Sequence, residues 1–360
     1  MNASAEPRTY TIAALPGDGI GAEVLPPAME LVDQAAALEN VQIRWESHDW
    51  SCERWAETGA MMPDDALDVL AEKDAIFLGA VGAPGVPDHV SLWGMLIPIR
   101  RRFRQYVNLR PIRLFPGVQG PVRDELVEGM DLVVVRENNE GEYSEVGGRL
   151  YRDLPEEVAV QEAMFTRRGV ERVMRYAFEL AGERRGQLMS ATKSNGIVHT
   201  MPFWDQILGE LAPEYDHVQV SQRHIDALAA TCVLDPRSLD VIVASNLFGD
   251  ILSDLTAAVA GSIGIAASGN LNPEGDHPSM FEPVHGSAPD IVGQQLANPL
   301  GQIWSGVMML DHLGHGTAAA ALMTAIERSL SETGVRTPDL GGSASTSEVA
   351  STVSRLLAEA

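Results

Sequence analysis

Cysteine is nearly absent: Cys52 and Cys232 are the only two in 360 residues. They are too few and too far apart in sequence for a disulfide framework or a thiolate metal site. Positive charge is scarce as well. Fifty acidic residues stand against 26 Lys and Arg, a formal net charge of −24. Such a surface repels phosphate backbones and anionic lipid, so nucleic acid and membranes are poor candidate partners. No uninterrupted apolar run reaches the length that spans a bilayer. The polar N-terminus, with Glu6 and Pro7, lacks the apolar stretch of a secretory signal. The expected location is therefore cytoplasmic. What remains is 45% hydrophobic and 21% charged, the composition of a globular chain long enough for one large domain or two ordinary ones.

Short β-like runs alternate with stretches of helical period. Residues 10–15 read as a strand, followed by a Gly-rich turn over 16–21 and a helix through Leu31 and Ala37. Residues 41–45, 74–78, 132–135, 188–192 and 239–244 are further strand candidates. Helices are predicted over 169–182, 204–211, 251–259 and the Ala-rich stretch 317–326. This alternation predicts an α/β fold with a substantially parallel sheet. Two regions interrupt it. Residues 108–123, with Pro111, Pro116, Gly117, Gly120 and Pro121, are expected to cross between domains. Residues 261–299, rich in Gly, Pro, Ser and Asn but carrying Ile263, Phe281 and Val284, are expected to form an ordered functional loop.

Several motifs bear chemistry, each with a plainer alternative. Gly17-Asp18-Gly19-Ile20-Gly21 follows a strand and precedes a helix, but its spacing is G-x-G-x-G rather than G-x-G-x-x-G. A tight turn therefore competes with a phosphate cradle. A basic run holds Arg100, Arg101, Arg102 and Arg104, then Arg110 and Arg113. If 96–106 is helical, Arg100 and Arg104 share a face, and arginine forks suit a di- or tricarboxylic acid. Arg101 and Arg102 read better as a solvated face paired with surface carboxylates.

Asp250 and Asp254 are four residues apart, so a helix would bring both to one face as donors for octahedral Mg²⁺ or Mn²⁺. The alternative makes Asp250 a helix N-cap and leaves Asp254 in solvent. In Phe281-Glu282-Pro283-Val284-His285-Gly286-Ser287-Ala288-Pro289-Asp290, glycine permits close approach of the backbone to a ligand. An Asp there can accept both ribose hydroxyls of an adenosine, although a Pro-Asp turn with a structural His would look the same. Arg136-Glu137-Asn138 ends a strand ahead of Gly141-Glu142-Tyr143, and Lys193 lies just past another strand. Strand ends are common site positions, yet a lone lysine there is more often exposed than catalytic.

Taken in this order, the motifs resemble the β-decarboxylating dehydrogenases, the family of isocitrate and 3-isopropylmalate dehydrogenases. The likeness runs from about Ile12 to the C-terminal region. Its most specific blocks are Asn108-Leu109-Arg110-Pro111, Val135-Arg136-Glu137-Asn138, residues 245–254 and residues 282–290. Residues 87–94, 165–170, 191–196 and Leu271-Asn272-Pro273-Glu274 are most similar to the tartrate and D-malate branch of that family.

The resemblance implies a two-domain fold with a mixed, substantially parallel central sheet, not a classical Rossmann fold. A discontinuous cofactor-binding domain would comprise 1–106 and 262–360. Residues 107–261 would form a small domain for substrate, metal and dimerisation, with an intersubunit arm at about 145–160. It implies oxidation of a small 2-hydroxy dicarboxylic acid with β-decarboxylation, D-malate to pyruvate and CO₂ or tartrate oxidation, in a homodimer that shares active sites. Arg100, Arg110 and Arg136 would hold substrate carboxylates. Asp250 and Asp254, with Asp226 from the neighbouring subunit, would bind Mg²⁺ or Mn²⁺. Tyr143 and the neighbour's Lys193 would be the acid/base pair. The Gly17–Gly21 turn, with Ile20, would border the nicotinamide, while His285, Gly286, Ser287, Ala288, Asp290 and Asn298 would receive the adenosine. A carboxylate at Asp290 would repel a 2′-phosphate, which favours NAD over NADP. K⁺ is a further candidate cofactor.

Substrate choice is expected at C3, beside Trp93 and Leu96. Isocitrate enzymes place a serine where Gly94 stands and a polar residue where Leu96 stands, and isopropylmalate enzymes an acidic residue near Trp93. Their absence favours malate or tartrate. The competing readings are a 3-isopropylmalate dehydrogenase and a non-catalytic regulatory member. The family usually carries Thr or Ser where this chain has Asn139.

Overall fold

The computed structural model describes residues 7–359; residues 1–6, read above as carrying no signal sequence, lie outside the described residues. Among the described residues twelve strands form in chain order. They are β1 (Arg8–Gly17), β2 (Val41–Ser47), β3 (Ala75–Ala80), β4 (Val107–Arg113), β5 (Asp131–Glu137) and β6 (Gly147–Leu150), then β7 (Val158–Gln161), β8 (Gln187–Thr192), β9 (Gln219–His224), β10 (Val241–Ala244), β11 (Ala267–Leu271) and β12 (Ser279–Pro283). Ten make one sheet in the order β2-β1-β3-β12-β11-β4-β5-β10-β8-β9, and β6 pairs with β7 apart from it. Both flanks of the large sheet are parallel. Its centre is antiparallel, because β11 runs against both β12 and β4, and β4 runs against β5. A classical Rossmann sheet has no such reversal.

Burial follows from sequence. The runs Ala75–Ala80 and Val241–Ala244 are buried at every position, as strands covered by helices on both faces must be. The polar β9 is largely exposed, as an edge strand should be. The helix Arg167–Glu183 buries Val170, Val173, Met174, Ala177, Phe178 and Ala181, a single stripe at helical spacing, and Thr166 caps it by accepting from the Gly169 amide. Among the described residues no helix is long and apolar enough to cross a membrane.

Three local expectations change. The stretch expected as a domain crossing at 108–123 opens with β4, a central strand. Pro111 is tolerated there because β11 pairs only with Val107, Asn108 and Leu109, leaving that part of β4 paired on one side. The region 261–299 contributes β11 and β12 to the centre of the sheet before it becomes loop. The helix anticipated over 96–106 is shorter: residues Leu92–Leu96 wind as a wider π-turn, the α-helix spans Ile97–Arg102, and Arg104 turns to φ +47° so that the chain can enter β4. Arg100 and Arg104 therefore do not share a helical face. Arg100 is buried, whereas Arg104 pairs with exposed Asp276.

Candidate active site

The antiparallel centre of the sheet sets polar side chains of three neighbouring strands in register. Asn270 on β11 pairs in register with Asn108 on β4, which pairs in turn with Arg136 on β5. All three are buried, and their side chains find hydrogen-bond partners within the cluster. Arg100 Nη2 donates to Glu282 Oε1 at 2.7 Å, and that oxygen also accepts from Asn270 Nδ2 at 2.8 Å. Asn270 Oδ1 accepts from Asn108 at 3.0 Å and Asn138 at 2.9 Å, and Asn108 Oδ1 accepts from Arg110 Nε at 2.6 Å. One hydrogen-bonded chain thus connects Arg100 to Arg110.

Arg110 and Arg136 meet at the helix Asn246–Val259. Arg110 Nη1 donates to Ser253 Oγ at 2.6 Å and lies 3.3 Å from Asp254 Oδ1 and 3.4 Å from Asp250 Oδ1. Arg136 Nη1 donates to Asp250 Oδ1, and its Nη2 to Asn246 Oδ1 at 2.7 Å. The helix starts at Asn246 with Ser245 at its N-cap, so Asp250 is not a cap and shares a face with Asp254 one turn on. The helix end is held instead by Glu142, whose carboxylate accepts from Ser245 Oγ at 2.8 Å and the Leu247 amide at 3.1 Å. The next residue, Tyr143, donates its hydroxyl to Asp250 Oδ2 at 2.9 Å, and its ring lies 5.5 Å from the Arg136 guanidinium.

The electrostatics separate these groups. Burial pushes the Asp250 carboxyl up, but Arg136, Arg110 and the Tyr143 hydroxyl outweigh it and hold it below the usual carboxylate range. Asp254 has less of this compensation, and burial pushes it up. Burial, reinforced by Arg110, pushes Arg136 down to about 10. Burial and the Asp250 charge push the Tyr143 phenol up, so it keeps its proton at neutral pH.

Lys193 and Asp226 lie together but apart from this cluster. Lys193 Nζ is 2.6 Å from Asp226 Oδ1, and both side chains are substantially exposed. Among the described residues no three His, Cys, Asp or Glu side chains gather as a metal site, so one chain does not bring Asp226 to Asp250 and Asp254. Lys73 and Lys193 are the only lysines of the chain. Lys73 is tied 2.5 Å from Glu46, which leaves Lys193 as the one lysine at a strand end.

The Gly17–Gly21 turn packs against the loop after β12. The Ile20 amide donates to the Ser287 carbonyl at 2.9 Å, and a Cβ on Gly19, at φ +59°, would stand 2.1 Å from that oxygen. Asp18 holds the turn by accepting from the Cys52 and Gly82 amides, each at 2.8 Å. His285 is buried, with Nδ1 against the Gly286 carbonyl at 3.0 Å and Nε2 unpartnered. Nothing lies within 4 Å of a Cβ placed on Gly286, and Ala288 takes φ +40°. Asp290 is exposed on a short turn, whereas Asn298 is buried and donates to Asp339 at 3.0 Å.

Trp93 lines a cleft of about 520 Å³ with Trp55, Met61, Met62 and His89. A Cβ on Gly94 would come within 2.8 Å of Met61 Cγ, so the missing serine also has a packing reason. Leu96 packs on the apolar cluster that includes Met95, Ile99 and Phe103. Asn139, with its amide turned to satisfy its neighbours, donates to the carbonyls of Asn138 at 3.2 Å and Arg100 at 3.3 Å; the extra length over Thr or Ser ties β5's end to the Arg100 helix. Sequence reasoning missed Asn246, Ser253 and Glu282 as partners of the arginines, and Asn270 as the link between Glu282 and Asn108. Glu282 lay inside a motif already singled out, but spacing carries no sign of which buried charge it would meet.

The isocitrate/isopropylmalate dehydrogenase family model matches residues 11–353. The chain is 51% identical to the probable tartrate dehydrogenase/decarboxylase of Bacillus subtilis (strain 168), over 95% of this chain and 96% of that protein. It is also 51% identical to the D-malate dehydrogenase [decarboxylating] of Escherichia coli (strain K12), over 97% and 99%. Isocitrate dehydrogenase from Methylococcus capsulatus superposes with a TM-score of 0.88 at 32% identity, covering 97% of this chain and 99% of its own. By the family model and these relatives, this chain belongs to the isocitrate/isopropylmalate dehydrogenase family of enzymes.

Proposed function

We propose that the enzyme oxidises D-malate, tartrate or both, with β-decarboxylation of the malate product, using NAD⁺ and Mg²⁺ or Mn²⁺. Two of the relatives with about half their residues identical carry those activities in their names. The observation that carries the reading is the cluster of Arg100, Arg110 and Arg136 around Asp250, Asp254 and Glu282. Three guanidinia there face three carboxylates, which is near neutrality. A dicarboxylate substrate adds two negative charges to a buried place, and a dication restores the balance. The donor chemistry fits a hard cation: Asp250 and Asp254 are oxygen ligands on one helical face, with Asp250 held ionised by the arginines. Asp226 completes the set only if it comes from a second copy, which is why we read the active unit as a homodimer. The exposed β6–β7 hairpin is its arm, and the two segments 1–106 with 262–360 and 107–261 are its domains. K⁺ remains a candidate in the assay below.

The chain's own residues then divide the work. Arg100, Arg110 and Arg136 bind and orient the substrate carboxylates, and Trp93 and Leu96 border C3. The neighbour's Lys193 takes the proton of the C2 hydroxyl as hydride leaves C2, and Tyr143 delivers a proton to C3 after CO₂ departs. A bound dication supplies Lewis acidity at the hydroxyl and adjacent carboxylate, and the dinucleotide supplies the hydride acceptor. Unpartnered His285 Nε2 and the open space at Gly286 fit an adenine and its ribose, with Asp290 selecting against a 2′-phosphate.

The test is NADH formation with Mn²⁺ and K⁺ on D-malate, L-malate, (+)-tartrate, 3-isopropylmalate and isocitrate, with and without EDTA. Turnover of D-malate or tartrate that EDTA abolishes is expected. Preference for 3-isopropylmalate would overturn the substrate assignment, and inactivity on all five would point to a non-catalytic member.

A further inference from the structure

Arg101 was expected to be a solvated surface residue, but it touches two parts of the site. Its guanidinium carbon lies 5.0 Å from the centre of the Trp93 ring. Nη2 donates to the backbone carbonyl of Tyr143 at 3.3 Å, and Nη1 is 2.5 Å from Glu145 Oε2. Trp93 and Arg101 lie in the segment that supplies β1 to β3, whereas Tyr143 and Glu145 follow β5. Its neighbours in the basic run go elsewhere, Arg102 to Asp68 and Arg104 to Asp276.

Tyr143 is gripped from the opposite side by Asp250, which takes its hydroxyl, and by Arg136 against its ring. The phenol is therefore fixed by the helix Asn246–Val259 and β5, while Arg101 holds the carbonyl of its main chain. A guanidinium is planar and can lay its face on an indole while its edge donates to a carbonyl and a carboxylate; an ammonium cannot do all three.

We infer that Arg101 is a positioning residue that aligns the Tyr143 main chain with the Trp93 indole, so that proton delivery by Tyr143 and the room allowed at C3 are set by one side chain. This rests on Tyr143 as proton donor and Trp93 as the border of C3. Without Arg101 the tyrosine loses the contact that ties its main chain to Trp93, and the indole loses its cover, so turnover falls and bulkier C3 substituents are better accepted.

The experiment compares Arg101→Met, Arg101→Lys, Tyr143→Phe and the double variant Arg101→Met/Tyr143→Phe on D-malate and 3-isopropylmalate, with NAD⁺ and Mn²⁺. Arg101→Met should lose about tenfold in kcat on D-malate with KM changed by less than about threefold. Its kcat/KM for 3-isopropylmalate relative to D-malate should rise about fivefold, and Arg101→Lys should fall between. In the Tyr143→Phe background the further loss from Arg101→Met should shrink below about twofold, because a residue acting through the hydroxyl has nothing left to act on. A full tenfold loss on top of Tyr143→Phe overturns the inference, since a merely structural role would add. Wild-type kcat and selectivity in Arg101→Met beside a crippled Tyr143→Phe overturn it alone. Wild-type kcat in Tyr143→Phe overturns the role of Tyr143 itself, and the inference with it.

Discussion

The hydroxyl of Tyr143 donates to one carboxylate oxygen of Asp250 at 2.9 Å while Arg136 donates to the other. A single aspartate thus joins the residue read as proton donor to a residue read as carboxylate binder. The contact forms because Glu142 caps the very helix that carries Asp250, placing the next side chain over the helix's second turn.

Tyr143→Phe keeps the ring against Arg136 and removes the hydroxyl, and with it the transferable proton and the bond to Asp250. Pyruvate formation from D-malate should fall about 10²-fold, with KM changed by less than about threefold. Steady-state kinetics with product analysis check this, and a loss under about twofold would contradict the role.

The proposed sharing of sites between two copies makes a sharper claim about assembly. Lys193→Met and Asp250→Asn should each be nearly inactive as pure dimers. Mixed through unfolding and refolding, half the dimers pair one chain of each kind, and each of those has one intact site. Activity should return to about a quarter of wild type. No recovery in a mixture that contains mixed dimers would place both residues in the same chain's site.

Gly19→Ala tests the cofactor turn. The left-handed φ of +59° and the Ser287 carbonyl, 2.1 Å from any Cβ, force the turn away from the His285 loop. KM for NAD⁺ should rise at least about tenfold, more than KM for D-malate, with a stability loss of about 1–3 kcal/mol. Equal changes in both KM values would remove the turn from the cofactor side.

Glu137 is fully buried, accepts from the Asn139 and Glu140 amides, and lies 3.9 Å from Arg172. Burial pushes its carboxyl up to about 7, against an ordinary value of 4.5. A raised folded-state value means that its contribution to stability is whole below about pH 4.5 and is lost as pH rises through 7. Gln in its place stays neutral throughout. Wild-type stability should therefore drop relative to Glu137→Gln by about 1–3 kcal/mol between pH 5 and 8. Urea unfolding across that range checks it; parallel curves for the two proteins would contradict it.

Local pattern was enough for much of this protein. Apolar runs such as residues 75–80 and 241–244 are strands because nothing in them can face water, and the stripe from Val170 to Ala181 is helical for the same reason. Asp250 and Asp254 could be placed on one face from their spacing alone, since a helix has one period. Other features lay beyond any local rule. That β4 is a central strand despite Pro111, and that the antiparallel centre sets Asn270, Asn108 and Arg136 in register, depends on which strands become neighbours. The basic run behaved the same way. Arg100, Arg101, Arg102 and Arg104 are equivalent as sequence, yet they end in a buried pair with Glu282, a bridge to Trp93 and Tyr143, and two surface contacts. Residue type and period are properties of the chain and act over a few residues. The partner that a long cation meets is decided by segments some 40 to 180 residues away, and only the packed sheet brings those together.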